Sequence, residues 1–387
     1  MIIPVRKAYP QLMINGADAW PRLESYALKL SYTDNLNKAD DLQLELDDSN
    51  RIFLNNSFPG KGTVKIECRI FAENWADYND SREIDCGSFY IDEPTYSFPP
   101  YRISIKGSSL PVTSKLKGEN NTKAWEGKTL KEIAEDILRE EDEIDLDWDV
   151  QDDPRFKRID QADEFNLEFL YKQCVDNGLS MKVKRGQIKI FNELEYEQRA
   201  PAFVIEENVT PVLKGSFRTK TEGTAKEAEV SFTDPETGKL TKAKATDNDS
   251  KLKNARKVKS YDNPKSDPDL LPDPRNPFSA VSTLADPPPL IDADYLSSEA
   301  DKNKGKGAGL ATKASKKAKA MLRKANKHRD TAQFEIIGFT SPQAGQTCEI
   351  RGYGPWAGIY FVERVTHSVM PFVTSLHLRR ELASKGY

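Results

Sequence analysis

Between Leu23 and Ser109 apolar and polar residues alternate along the chain. Leu42-Gln43-Leu44-Glu45-Leu46 and Val64-Lys65-Ile66-Glu67-Cys68-Arg69-Ile70 repeat every second residue, which predicts strands with one face buried and the other wet. Phe89-Tyr90-Ile91 and Arg102-Ile103-Ser104-Ile105 continue the pattern, with Pro94, Pro99 and Pro100 between them. Proline lacks the N–H that a ladder needs, so these positions are expected to form the connection. The region reads as an antiparallel barrel or sandwich.

The period then changes. Thr129-Leu130-Lys131-Glu132 has the form of a capping box, and Leu130, Ile133, Ile137 and Leu138 follow at helical spacing, predicting a helix of about three turns. A second helix is expected from Asp163 as N-cap, through Leu167, Leu170, Tyr171 and Cys174, to Asn177-Gly178, where glycine suits a left-handed cap. Met181 to Ile190 alternates on both sides of Gly186 and reads as a hairpin.

Strands resume after Pro211. Ala228 to Phe232 and Leu240 to Ala243 flank Asp234-Pro235-Glu236-Thr237-Gly238-Lys239, a turn signal. Asp262 to Pro289 then holds eight of the 23 prolines and can be neither helix nor sheet interior. Lys302 to Arg329 has eleven Lys or Arg and no acid, with Ala314, Ala318, Leu322 and Ala325 along one face, so a basic amphipathic helix is expected. Four strand-like runs close the chain: Phe334 to Ile337, Cys348 to Arg351, Ile359 to Val365 and Ser375 to Leu378. The whole predicts an α+β fold, mainly β. Its parts are a first β unit over 1–117, a small α+β domain over 118–205, and a second β unit over 206–387 split by an insertion at about 247–330.

Composition agrees with several cores: 387 residues exceed what one core usually supports, and 37 % hydrophobic residues sit beside 30 % charged ones. A net charge of -4 carries no overall footprint for nucleic acid or an anionic membrane. Cys68, Cys86, Cys174 and Cys348 are far apart, with no C-x-x-C pair, and read as reduced thiols of a chain folded in cytoplasm. No signal peptide or membrane-spanning run is read, so work outside the cell would need a route other than secretion.

Candidate chemistry is sparse. His328, His367 and His377 are too scattered for a multi-histidine metal site. Asp145-x-Asp147-x-Asp149 opens like a calcium loop, but Val150 and Phe156 stand where glycine and glutamate belong, so an acidic strand edge is expected. Gly305-Lys306-Gly307-Ala308-Gly309 lacks the preceding strand and the Lys-Ser/Thr pair of a phosphate loop and reads as a hinge. The basic helix has no aromatics to stack on bases; its lysines are expected to face water, with a protein partner the next reading. Adjacent acids such as Glu140-Glu141-Asp142-Glu143 do not form opposed groups across a cleft.

The closing block is more specific. Gly345-Gln346-Thr347, Gly352-Tyr353-Gly354, Gly358 to His367 and Thr374 to Arg380 form a glycine-led strand ending in histidine, followed by a threonine-led last strand. This resembles the late control protein D family, the baseplate hubs of contractile phage tails and tail-like particles such as tailocins, related to the N-terminal part of type VI secretion spike proteins. Cys86 to Asp92 with Ile103 to Gly107 is similar to that family's first barrel.

The resemblance implies two tail-tube-like antiparallel β-barrels per chain, with the α+β domain between them and the insertion inside the second barrel. It implies a homotrimeric, pseudo-sixfold ring connecting the tail tube, or a tube-initiator protein, to a trimeric spike, amid other baseplate proteins. Assembly would take place in the bacterial cytoplasm, with no membrane anchor, no cofactor, no metal and no enzymatic activity; DNA would be passing cargo. Gly358, Tyr360, His367, Thr374 and Arg379 are the implied assembly residues. A lysozyme-like module is not expected after the last strand. The rival reading, a peptidoglycan-directed hydrolase or cell-wall-binding tail module, requires a cleft with opposed acids or an exposed aromatic patch.

Overall fold

The computed structural model describes residues 5–14, 16–56, 64–75, 80–111, 114–141, 144–220, 222–233, 240–247, 256–261, 290–291 and 306–382. The first β unit contains β1 (Lys7–Ile14), β2 (Ala17–Asp18), a helical turn α1 (Trp20–Leu23), β3 (Ala27–Asn35), β4 (Asp41–Asp47), α2 (Ile52–Asn56), β5 (Lys65–Glu73), β6 (Ser81–Ser97) and β7 (Arg102–Ser108). The strands pair antiparallel in the order β3-β4-β7-β6-β5-β1. The alternation expected from sequence sets the faces: Leu42, Leu44, Leu46, Ile66, Ile70 and Phe89 point into one core, while Gln43, Glu45, Ser104 and Lys106 lie on the opposite, polar face. Pro94 corrects the sequence reading. It lies inside β6, and only Pro99 and Pro100 belong to the connection with β7. β6 can hold it because β5 leaves its side at Tyr90, so the missing N–H costs no ladder bond there.

The α+β domain follows: α3 (Lys115–Gly118), β8 (Asn120–Thr129), α4 (Leu130–Leu138), β9 (Asp145–Asp149), β10 (Arg155–Phe165), α5 (Asn166–Asp176), β11 (Leu179–Lys184), β12 (Gln187–Asn192) and α6 (Glu193–Glu197). Thr129 and Glu132 form the expected capping box, at 3.2 and 2.8 Å. Arg185 and Gly186, both at positive φ, make the expected hairpin turn. The second helix ends as expected at Asn177-Gly178 but begins at Asn166. Asp163 instead sits at φ +49 in a register shift of β10, whose pairing with β8 runs on to Phe165. Long-range pairing here outweighs a local capping preference. Trp125, Ile133, Phe156, Phe169, Met181 and Ile190 belong to the domain's core.

The second β unit comprises β13 (Phe203–Glu206), β14 (Val212–Thr219), β19 (Asp330–Ile337), β20 (Thr347–Arg351), β21 (Gly358–Val369) and β22 (Phe372–Arg380). Between β14 and β19 lie β15 (Ala225–Thr233), β16 (Leu240–Thr246), β17 (Arg256–Tyr261), β18 (Leu290–Ile291) and α7 (Lys306–Asn326). β15 to β17 form a sheet apart from the large one, so the strands read from sequence as part of the second unit belong with the insertion, which starts after Thr219 and not at about 247. β15 pairs antiparallel with β16, as the turn signal requires, and parallel with β17. The turn itself and the proline-rich 262–289 lie outside the described residues. α7 lays Ala318 and Leu322 against Ala225, Ala228, Val230 and Ala245.

The pairing order of the second unit, β14-β19-β22-β21-β20-β13, repeats that of the first, except that β13 joins β20 in parallel where β1 joins β5 antiparallel. The strand registers match as well. β3 and β14 shift register at Ala27/Lys29 and Val212/Lys214, and β6 and β21 at Ile91/Glu93 and Val362/Arg364. The sequences follow at one constant spacing from β6 to β22: Gly87 with Gly358, Thr95 with Thr366, Ser97 with Ser368, Pro100 with Pro371, Ser104 with Ser375. Each half of the sheet has its own core, and the fold is α+β, mainly β. The halves are also one 13-stranded sheet, because Arg364–Ser368 of β21 pairs with Ser31–Asn35 of β3.

Candidate assembly surfaces

The joint between β21 and β3 is polar in front and buried behind. On its front the Thr33 and Thr366 hydroxyls meet at 3.1 Å. Behind, the buried His367 ring stacks on Tyr32 with centroids 6.3 Å apart. Thr374 uses its one hydroxyl proton on the Phe339 carbonyl at 2.5 Å, so His367 Nδ1 is the donor to Thr374 Oγ1 at 3.0 Å. Burial depresses the His367 pKa to about 4.

Tyr32 donates to Asp40 at 2.9 Å, and the Asn35 N–H donates to the same carboxyl at 2.9 Å. Burial first, and the neighbouring Asp34 charge second, raise Asp40 to about 7. Asp34 in turn is held by Lys182 at 2.8 Å and by the Ala344 N–H at 3.0 Å. A cavity of about 690 Å³ opens beside this network, its lining including Tyr32, Asp34, Asp85, Lys182, Arg185 and His367. The acids Asp34 and Asp85 there are engaged by Lys182 and Arg185.

A second buried network surrounds Arg379. Its guanidinium lies between Glu193 at 2.9 Å, Glu363 at 3.3 Å and Glu197. These are ion-pair distances without hydrogen-bond alignment. Arg323 and Lys327 reach the same acids, Lys327 at 2.7 Å from Glu193. Burial alone would raise the Glu193 carboxyl, but Arg379, Lys327 and Arg323 outweigh it and hold it well below its ordinary range. Burial would likewise lower Arg379, and the carboxylates of Glu193, Glu197 and Glu363 raise it instead.

This network settles what the basic helix does among the described residues. Arg323 and Lys327 are not solvated: they tie the insertion to α6, while Lys324 pairs with Asp176 at 2.5 Å and Lys316 with Asp152. β18 also pairs with β10, so the insertion grips its own α+β domain at two places. Sequence reasoning missed these contacts because the partners stand far away in the chain.

The five residues singled out from sequence fall in distinct places. Gly358 opens β21 at φ +137, with Arg380 Nη2 3.0 Å from where a Cβ would stand. Tyr360 is in the second core and donates to the Trp356 carbonyl at 2.9 Å. His367 and Thr374 meet at the joint, and Arg379 centres the ionic network. All but Gly358 are buried within one chain.

Asp147 and Asp149 lie on β9, bound by Lys189 at 2.7 Å and by the Tyr196 hydroxyl at 2.7 Å respectively. Among the described residues no three metal-ligating side chains cluster. His377 lies 2.6 Å from Arg364, and His328 is at 2.9 Å from Glu363. The four cysteines are unbridged and buried. Among the described residues no helix is long and apolar enough to cross a membrane.

A chain of two such β units has the fold of phage tail proteins. The 43 kDa tail protein of prophage MuSo2 from Shewanella oneidensis superposes with a TM-score of 0.58 at 14 % identity, covering 97 % of each chain. A tail protein of Neisseria meningitidis gives 0.58 at 10 %, covering 97 % of this chain and 98 % of that one. An Escherichia coli component of the type VI secretion system, itself described as structurally similar to T4 phage tail proteins, gives 0.53 at 10 %, covering 96 % and 77 %.

In sequence the chain is similar to a probable baseplate hub protein of Escherichia phage 186. They are 25 % identical over 182 residues, 46 % of this chain and 43 % of that protein, so the match spans less than half of the curated relative. No family model matches. The sequence match is to a baseplate hub protein, in line with the resemblance read above, and the solved structures share the fold.

Proposed function

We propose that the chain is the subunit of a homotrimeric baseplate hub, a structural ring that connects a sixfold tail tube to a threefold spike. The observation that carries the reading is the duplication. One chain already sets two equivalent β units side by side in one sheet, so three chains supply six such units around one axis, matching a sixfold partner on one side and a threefold partner on the other. The role is geometric and not catalytic. The ring is built in the bacterial cytoplasm and is carried in the virion or tail-like particle. His367, Thr374 and Arg379 serve assembly indirectly, by fixing the angle between the two units and the seat of the α+β domain; Gly358 and Tyr360 shape the strand that carries the joint.

Negative-stain electron microscopy and native mass spectrometry of the purified protein, alone and with neighbouring tail gene products, test this. Threefold particles with a central hole and a trimer mass are expected. Monomers in every preparation would sink the reading.

A further inference from the structure

The internal joint has a counterpart that is left open. Carried through the repeat, β3 corresponds to β14 and the second half of β21 to the second half of β6. β14 pairs with β19 on one side only, and β6 beyond Ile91 pairs with β7 only, among the described residues. Unpaired edges of this length invite another strand, although Pro94 leaves that of β6 a single N–H short. We infer that β14 of one copy of this chain pairs antiparallel with the Glu93–Ser97 segment of β6 in the next copy, repeating the internal joint between subunits. The inference rests on the hub reading and names the contact that closes its ring.

Three observations point to this occupant. The internal register sets Arg364 opposite Asn35, Thr366 opposite Thr33 and Ser368 opposite Ser31; transferred, it sets Glu93 opposite Lys220, Thr95 opposite Arg218 and Ser97 opposite Ser216. The first of these pairs has opposite charges, which cross-strand pairing favours. All six side chains are exposed, whereas Thr33, Thr366, Ser31 and Ser368 are at least half-covered where the joint is made.

The adjoining turn behaves the same way. Val369 and Phe372 are 2 % and 5 % exposed, packed into the first core beneath Trp75. Phe98, the counterpart of Val369, is 70 % exposed. A large apolar side chain bare at one copy of a turn and its equivalent covered at the other is what a missing neighbour produces. A head-to-tail contact of this kind closes into a ring by rotation.

Paired residues of an antiparallel ladder have Cα atoms about 4.5–5.5 Å apart, within reach of a disulfide. The full chain carrying Ser97→Cys and Ser216→Cys, oxidised with copper phenanthroline, is expected to run as covalent dimers and trimers. The pair Thr95→Cys and Ser216→Cys, one pleat out of register, is expected to link at least about tenfold less. Ser31→Cys with Ser368→Cys is the control and closes within one chain. Phe98→Asp is expected to raise the trimer dissociation constant about tenfold or more, as for an interface anchor. If the parent is trimeric yet the Ser97/Ser216 pair stays uncrosslinked while the control closes, the joint lies elsewhere and the hub reading stands. If the parent never forms trimers, with or without tail partners, both fall.

Discussion

In the first β unit, β3 turns into β4 through Leu36 to Asp40; at the same place in the second, β14 reaches β19 only after the whole insertion with α7. The two connections look unrelated, yet they touch the same domain. The short turn bridges Ala39 to Val183 and accepts Met181 N–H on Asn37 at 2.8 Å, and the long one anchors Arg323 and Lys327 on α6. The α+β domain is gripped at one repeat position from both units, once by backbone and once by charge. Duplicated units thus keep their strand order while the connection is free to grow, since added loop length is thermodynamically cheap.

Making the units alike at single positions sharpens the contrast. Arg379 stands where the first unit has Ser108. Arg379→Ser strands Glu193 and Glu197 without their central cation, and a loss of about 3–5 kcal/mol is expected in urea denaturation; adding Glu197→Gln should recover part of it. Next in size is Gly338→Ala at the end of β19. Its φ is +64 and a Cβ would stand 2.0 Å from the Trp75 ring, so about 2–4 kcal/mol should be lost in the same assay.

The joint offers a pH test. Asp40, raised to about 7, gives stability that is full below its unfolded pKa and lost as pH climbs to 7. His367, lowered to about 4, gives stability that is full above its unfolded pKa and lost as pH falls to 4. The two slopes oppose each other in between. Asp40→Asn should therefore gain on the parent by on the order of 2 kcal/mol as melts are taken from pH 4 to pH 8; a constant difference would overturn the assignment. The smallest effect is expected from Thr129→Ala, about 1 kcal/mol from the lost cap, with trimer formation unchanged because neither grip is touched.

What was legible in the sequence was local. The capping box at Thr129, the Arg185-Gly186 hairpin and the closing strands each declare themselves within a few residues, and so do the buried positions of α7. Asp163 and Pro94 misled because pairing with distant strands decided their roles. The ionic network was invisible for the same reason, its acids and bases lying far apart in the chain. The duplication was different: its matching Gly, Thr, Ser and Pro positions stand in the sequence at constant spacing, but they gain meaning only once the strand registers align them.

The sharing of β21 also sets a timetable. A nascent chain that has emerged as far as Ser108 has β1 to β7 in hand, yet Val369 and Phe372, which belong to its core, and the strand that shields β3 have still to be translated. The N-terminal unit must wait for the last strands, so closure depends on contacts of very high sequence separation and should be slow. A prematurely terminated chain would therefore keep an open core and a bare β3 edge, marking it for chaperones and proteases before it could enter a particle.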